Sequence, residues 1–210
     1  MVLIDGKPTA EPILKTLPAV LAAFQGGQAQ GQAIAEIIMG ITVPSGKLPI
    51  SFPVSADVLP VYYNYKPSAR RSGWCDVSDG VLWPFGFGLS YTQFNYSSLV
   101  VQTEAVPKDG IATIAVDVTN IGLVAAVEVV QLYIRDAISS VTTPVKMLKG
   151  FQRVFLDPSE TKTVTFNVDV AFELRVLNRT YHWQVEEGLF YVMIGGSSDN
   201  TPVNGQFNIV

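Results

Sequence analysis

The sequence predicts a mainly β protein, in which a β-sandwich fills the second half and is preceded by a short α/β segment and a long aromatic-rich connector. After Phe94, apolar and polar residues alternate in short runs separated by turn-forming residues, the pattern of half-buried strands. Between residues 54 and 91 no period is sustained, yet aromatic residues recur from Tyr62 to Tyr91. Before residue 44 the apolar residues recur at helical spacing instead.

The elements follow in order. Residues 2–4 are an apolar run closed by Asp5-Gly6-Lys7-Pro8, which suits a buried strand running into a turn. From Pro18, the spacing of Val20, Leu21 and Phe24 predicts one short helix. Ala33, Ile34, Ile37 and Ile38, ahead of Gly40, predict a second. Between them Gly26-Gly27-Gln28-Ala29-Gln30-Gly31 reads as a flexible polar loop, leading into a helix end that presents free backbone N–H groups. Pro44-Ser45-Gly46-Lys47 is an expected turn, and the prolines of Leu48-Pro49-Ile50-Ser51-Phe52-Pro53 confine that stretch to an extended edge. The aromatic-rich connector is too long for an idle loop, so it is expected to be structured and packed against a neighbour.

In the sandwich, residues 111–120 place Ile114, Val116 and Val118 on one face, and residues 128–135 do the same with Val130, Leu132 and Ile134. Asn120-Ile121-Gly122 is the turn between them. Further strands are expected at residues 147–155, 161–168, 182–186 and 188–195, with turns at Asp157-Pro158-Ser159 and Glu186-Glu187-Gly188. About seven strands in roughly 115 residues is the count of an immunoglobulin-like sandwich.

Composition narrows the function classes. A chain of 210 residues holds one ordinary core plus a smaller piece. With 48% hydrophobic and 15% charged residues, it buries enough apolar surface to order itself. The net charge is -4 and the one adjacent basic pair is Arg70-Arg71, so no nucleic-acid partner is expected. Cys75 stands alone, which excludes an intrachain disulfide and a two-cysteine metal site and leaves a buried thiol as its expected state. No apolar run reaches the roughly 18 to 20 residues that cross a bilayer, and Met1 is followed by Val-Leu-Ile-Asp. The expectation is a chain with no membrane partner and no export signal of its own.

Few residues suggest chemistry. His182 is the single histidine, which removes any serine–histidine or cysteine–histidine dyad not built around it; a packed or solvent-facing position on a strand is expected. One histidine without paired cysteines makes no zinc site, and no metal or cofactor is expected. The glycines of residues 26–31 and of Gly86-Phe87-Gly88 lack the lysine and hydroxyl of a phosphate loop and the dinucleotide fingerprint, so they read as tight turns. The connector aromatics are expected to pack rather than to stack on sugars. Asn95-Tyr96-Ser97 and Asn178-Arg179-Thr180 fit the glycosylation pattern at the frequency chance allows.

Several blocks, in order, carry a family resemblance. Val2-Leu3-Ile4-Asp5-Gly6-Lys7-Pro8, Ala33-Ile34-Ala35-Glu36-Ile37 and Pro44-Ser45-Gly46-Lys47-Leu48-Pro49-Ile50-Ser51-Phe52-Pro53 resemble the late part of glycoside hydrolase family 3, the β-glucosidase family. Leu59-Pro60-Val61-Tyr62-Tyr63-Asn64 and the highly specific Trp83-Pro84-Phe85-Gly86-Phe87-Gly88-Leu89-Ser90-Tyr91-Thr92 continue it. Val129-Val130-Gln131-Leu132-Tyr133-Ile134, Leu148-Lys149-Gly150-Phe151 and Ile194-Gly195-Gly196-Ser197-Ser198 resemble that family's fibronectin type III-like domain. Where the family usually has a Pro-Gly-x-Glu-Gly-Gly type loop, this chain has residues 26–31 with no carboxylate.

The resemblance implies a (β/α) barrel and an α/β sandwich domain ahead of the β-sandwich. Residues 1–55 are then the truncated end of the α/β domain, 56–94 the connector and 95–210 the fibronectin type III-like sandwich. It implies, for the intact enzyme, hydrolysis of terminal β-linked glucose or a similar sugar with retention, acting on oligosaccharide or β-glycoside substrates. Family members are often secreted or periplasmic. Retention needs two carboxyl groups roughly 5 to 5.5 Å apart. In the family these are an aspartate of the barrel and a glutamate of the α/β domain, both upstream of the strand that residues 2–4 resemble. No catalytic residue is therefore expected in this chain. Asp76 and Asp79, close to Trp74 and Trp83, read as turn-forming acids beside Gly80, Asp57 as a solvated loop acid and Glu36 as a helix-surface acid. A truncated α/β piece predicts exposed apolar surface around residues 2–4 and 34–38. The alternative is a freestanding module whose sandwich binds a carbohydrate or a protein.

Overall fold

The computed structural model describes residues 1–67 and 80–210. Asp76, Asp79, Trp74, Cys75 and the Arg70-Arg71 pair lie outside the described residues. Strand β1 (Val2–Leu3) forms as expected. The helix expected from Pro18 does not. Its residues supply β2 (Leu21–Ala22), which pairs in parallel with β1 through Val2↔Leu21 and Leu3↔Ala22. A lone helical turn nucleates poorly. Here the backbone donors of Leu21 and Ala23 go instead to the carbonyls of Met1 and Leu3, both at 2.9 Å, and Phe24 turns to φ 49. A short 3-10 helix, Pro12–Thr16, bridges the two strands.

The second helix, α1 (Gln30–Ile38), is present, and it takes the last residues of the glycine loop into its first turn. No side chain caps its start, although the Gln30 side chain donates to the Phe24 carbonyl at 2.8 Å. Its end is a Schellman motif. Gly40, at φ 72, donates to the Ile37 carbonyl at 3.0 Å, and Ile41 donates to Glu36 at 2.9 Å. No residue of α1 is buried, and Ile38, Met39 and Ile41 are at least 62% exposed. Ile4 is exposed as well, so the expected apolar surface is present at both places.

Residues 44–47 form no turn or bend. Strand β3 (Phe52–Pro53) then pairs with β4 (Val81–Trp83), which places the buried Phe52 ring 5.4 Å from Trp83. The sandwich follows as β5 (Phe94–Val101), β6 (Ala105–Val106), β7 (Ile111–Asn120), β8 (Ala126–Asp136), β9 (Met147–Leu156) and β10 (Thr161–Asp169). After a four-residue helix α2 (Val170–Glu173) come β11 (Val176–Leu177), β12 (Trp183–Gln184), β13 (Gly188–Gly195) and β14 (Val203–Ile209).

One sheet has the order β10-β7-β5 and the other β6-β14-β13-β8-β9. All pairings are antiparallel except β6 with β14. Ile114, Val116 and Val118 of the first sheet meet Val130, Leu132 and Ile134 of the second, all buried, with Val192, Ile194 and Phe207 completing the core. The alternation therefore does assign the inward face. The strand expected at residues 182–186 is reduced to β12, which forms a side hairpin with β11 outside both sheets. Strands β5 and β14 lie outside the runs whose alternation predicts strands. A register shift between Ser97 and Val100, with Ser98 at φ 53, interrupts the period of β5. Gly205 interrupts β14, where a Cβ would come within 2.9 Å of Leu99.

Candidate functional site at the junction of connector and sandwich

The segments that carry the family resemblance converge on one face of β8. Residues 131–134 of this strand are buried on both sides, because the inner face meets the core and the outer face is covered by the connector. Gln131 is the hub. Its amide donates to the Gly86 carbonyl at 3.1 Å and to the Gly196 carbonyl at 2.7 Å, while its Oε1 accepts from the Tyr133 hydroxyl at 2.6 Å. Gly86 has φ 80 and passes so close that a Cβ there would sit 2.0 Å from Gln131 Oε1. Only glycine meets both demands.

Around this hub the connector is fixed by its backbone. Gly86 N–H donates to Leu48 O and Leu48 N–H to Phe87 O, both at 2.8 Å, so residues 48 and 86–87 hold each other. Phe85 N–H donates to Ser51 Oγ at 3.1 Å, and Ser198 N–H donates to Phe85 O at 2.9 Å. Aromatic packing closes the arrangement: Tyr63 stacks on Phe85 at 4.3 Å and meets Tyr133 edge-on at 5.8 Å, and its hydroxyl accepts from Leu148 N–H at 3.2 Å. Tyr63, Phe85 and Trp83 therefore pack within the protein, as expected for this stretch. Burial raises the Tyr133 hydroxyl far above its ordinary pKa, so it remains a donor.

A charged clasp sits beside the hub. Glu128 accepts from the Tyr96 hydroxyl at 2.9 Å and pairs with Lys47 at 3.2 Å, and Lys47 also donates to the Gly88 carbonyl at 3.0 Å. The Lys47 and Glu128 side chains are 13% and 4% exposed. Burial, reinforced by the adjacent carboxylate, drives the Tyr96 hydroxyl far above its ordinary range. Neither Glu128 nor Gln131 stands out as a site residue in the sequence. A signal is present all the same: Glu128 shares the inward parity of Val130, Leu132 and Ile134, and a lone acid at that parity must find a buried partner.

The sandwich also carries a cleft of about 310 Å³, bordered by Asp136, Thr143, Lys149, Glu173, Arg175 and Trp183 among others. Burial raises the Asp136 carboxyl, partly offset by the Ile138 N–H bonded to it. Glu173 pairs with Lys149 at 3.6 Å. The acids weighed from the sequence are elsewhere. Asp57 is exposed and its carboxylate accepts from Ser55 Oγ at 3.0 Å, and Glu36 accepts from Gln32 at 2.8 Å and Thr42 at 3.2 Å. His182 is exposed beside β12, its ring 3.3 Å from Thr180 Oγ1. Asn178 folds back on its own turn, accepting from Thr180 and His182 N–H, both at 2.9 Å. Among the described residues no group of three histidine, cysteine or acidic side chains is placed to hold a metal.

Comparison with known proteins bears on both halves. The glycosyl hydrolase family 3 C-terminal domain matches residues 1–91, and the fibronectin type III-like domain matches residues 128–198. The chain thus joins the C-terminal domain of a glycosyl hydrolase family to a fibronectin type III-like β-sandwich. It belongs to glycosyl hydrolase family 3. It is 40% identical to the thermostable β-glucosidase B of Acetivibrio thermocellus, over 94% of this chain and 28% of that protein. It is 42% identical to a β-xylosidase of Formosa agariphila, over 94% of this chain and 28% of that protein. The solved β-glucosidase of Erythrobacter marinus superposes on all of this chain with a TM-score of 0.94 and 36% identity, again across 28% of its own length. The Listeria innocua β-glucosidase solved with glucose gives 0.89 and 30% identity over 99% of this chain and 30% of its own. The chain spans little more than a quarter of the curated relatives it matches.

Proposed function

We propose that this chain is the carboxy-terminal portion of a β-glucosidase-like glycoside hydrolase, which cleaves terminal β-linked glucose or a similar sugar from oligosaccharides or glycosides with retention. The observation that carries the proposal is the 39 to 42% identity to two β-glucosidases and a β-xylosidase, each over 94% of this chain. The chain's own role is to brace. The connector is locked to the sandwich at Gln131, and the end of the α/β segment is tied to the sandwich directly by the Lys47–Glu128 clasp, so that segment is held in a fixed pose. The apolar surface at Ile38, Met39 and Ile41 fits burial against a barrel and the remainder of an α/β domain supplied by further polypeptide.

The same proposal divides the chain at residues 1–55, 56–94 and 95–210. In its favour, every residue of the sandwich core cluster falls between Tyr96 and Ile209. It also assigns the catalytic carboxylates to polypeptide outside this chain. Asp136 and Glu173, which share the cleft, are the local pair to test against it. Glu173 is engaged by Lys149, leaving no ready second carboxylate for retention. Purified chain assayed on an aryl β-glucoside is expected to give no turnover above buffer. Turnover abolished by Asp136→Asn overturns the proposal.

A freestanding binding module is the second reading, and the cleft is what favours it. Intact domains recovered from limited proteolysis with a cut between residues 56 and 94 support the three-part division.

A further inference from the structure

The cleft on the sandwich carries features that the family reading does not use. It lies between the segment around Thr143 and the β11–β12 hairpin, and its volume of about 310 Å³ is at the lower end of the roughly 300–1,000 Å³ typical of small-molecule sites. Trp183 borders it while remaining 60% exposed, an unusual cost in uncovered apolar surface for a residue on a two-residue strand.

Arg175 fixes the geometry of the wall. Its guanidinium carbon lies 4.4 Å from the centre of the Phe172 ring and 4.9 Å from that of the Trp183 ring, within cation–π reach of both. Among the described residues its N–H groups make no hydrogen bond or ion pair, so they remain able to donate. The Thr143 hydroxyl in the same cleft has no protein partner there either, and Asp136 Oδ2 is a buried acceptor without a partner among the described residues.

An aromatic ring, a guanidinium and a hydroxyl without protein hydrogen-bond partners in one small cleft select the ligand chemistry. A purely apolar guest would bury these polar groups without partners, which disfavours it. An anion would meet Asp136 and Glu173 as well as the cations. A ring whose hydroxyls both donate and accept, and whose C–H face is apolar, satisfies all of them.

We propose that this cleft is a non-catalytic binding site for a neutral saccharide ring, stacked against Trp183 and hydrogen-bonded by Arg175 and Thr143. This goes beyond the hydrolase reading: the cleft is bordered by the sandwich, with Lys66 of the connector at its edge. Such a site keeps a glycan chain near the protein while another part of it reacts.

The test uses the whole 210-residue chain, isotope-labelled and titrated separately with cellotetraose and laminaritetraose while the backbone amide resonances of residues 143, 175 and 183, which every variant retains, are followed. A saturable shift is expected with at least one of them. Trp183→Ala and Arg175→Gln are each expected to weaken binding about tenfold or more, equivalent to about 1.4 kcal/mol per factor of ten. Trp183 is exposed, so its replacement leaves the core intact, and an unchanged urea midpoint verifies this for both variants. Three results overturn the proposal: no saturable shift with either tetrasaccharide, saturation that survives both substitutions, or saturation with glucuronate or inorganic phosphate but with neither neutral sugar.

Discussion

Replacing Glu128 with alanine probes the clasp at its most vulnerable point. The carboxylate is 4% exposed and is shared between the Tyr96 hydroxyl at 2.9 Å and the Lys47 ammonium at 3.2 Å. Removing it strands a cation and a hydroxyl where water hardly reaches. Breaking a buried pair from one side costs roughly 3–5 kcal/mol. An orphaned hydroxyl adds about 1–3 kcal/mol. Part of the cation's cost is offset by the Gly88 carbonyl, which Lys47 keeps at 3.0 Å. A loss of about 4 kcal/mol is therefore expected, against a total of roughly 5–15 kcal/mol for a typical domain. Lys47→Met alone leaves Glu128 charged with Tyr96 as its donor, and about 3 kcal/mol is expected. The double substitution Lys47→Met with Glu128→Leu removes both charges and is expected to regain about half of the summed loss. Urea unfolding followed by tryptophan fluorescence, at constant m-value, measures all three in one double-mutant cycle. If both single variants lose less than about 1 kcal/mol, as an exposed ion pair does, or if the double variant loses the full sum, the clasp is not what holds the junction.

The remaining expectations are simpler. Gly86→Ala forces a Cβ to 2.0 Å from Gln131 Oε1 at φ 80, so thermal unfolding is expected to fall by several degrees, at about 2–4 °C per kcal/mol for a chain of this size. Asn120 is fully buried, donating to Val124 O at 2.8 Å and Leu156 O at 3.1 Å and accepting from Thr92 Oγ1 at 2.6 Å and Gly122 N–H at 3.1 Å; Asn120→Ala is expected to cost at least about 2 kcal/mol in the same urea assay. Desolvation alone would raise the Glu186 carboxyl, but hydrogen bonds from Ser140, Gln184 and Ser139 bring it down to about 2 from an ordinary 4.5. Its contribution is complete above pH 4.5 and is lost as pH falls towards 2, so the stability of Glu186→Gln, measured by urea titration at each pH, is expected to vary less through that window. The exposed Ile38, Met39 and Ile41 are expected to make the isolated chain self-associate, and Ile38→Lys with Ile41→Lys to reduce it in light scattering.

Legibility of the sequence follows the range of the contacts. Strand β7 is readable because alternate residues face one side, so Ile114, Val116 and Val118 announce the core without reference to any other segment. Helix α1 is readable for the same reason, and so is its stop at Gly40. Strand β2 is not, because its conformation depends on β1, and the spacing of Val20, Leu21 and Phe24 is equally compatible with a turn of helix. The clasp and hub join residues 47, 86, 128, 131 and 196, a constellation that no local window contains. The family blocks indicate that those segments matter, and the physical reason lies in their convergence: the glycines of Phe85-Gly86-Phe87-Gly88 allow close approach, with Gly88 a Cβ's reach of 2.3 Å from Gly46 O. The cleft is equally hidden, since Arg175 and Trp183 meet only through the fold of a side hairpin.

The placement of β14 has a consequence for biosynthesis. It is the strand of highest residue number, yet it lies inside its sheet between β6 and β13, and it contributes Phe207 and Ile209 to the core. On the ribosome, β13 must therefore wait with one long edge open until residues 203–209 have cleared the exit tunnel. Proteolytic clipping just ahead of Val203 would leave that edge permanently unmated, turning a covered hydrogen-bonding row into a template for aggregation.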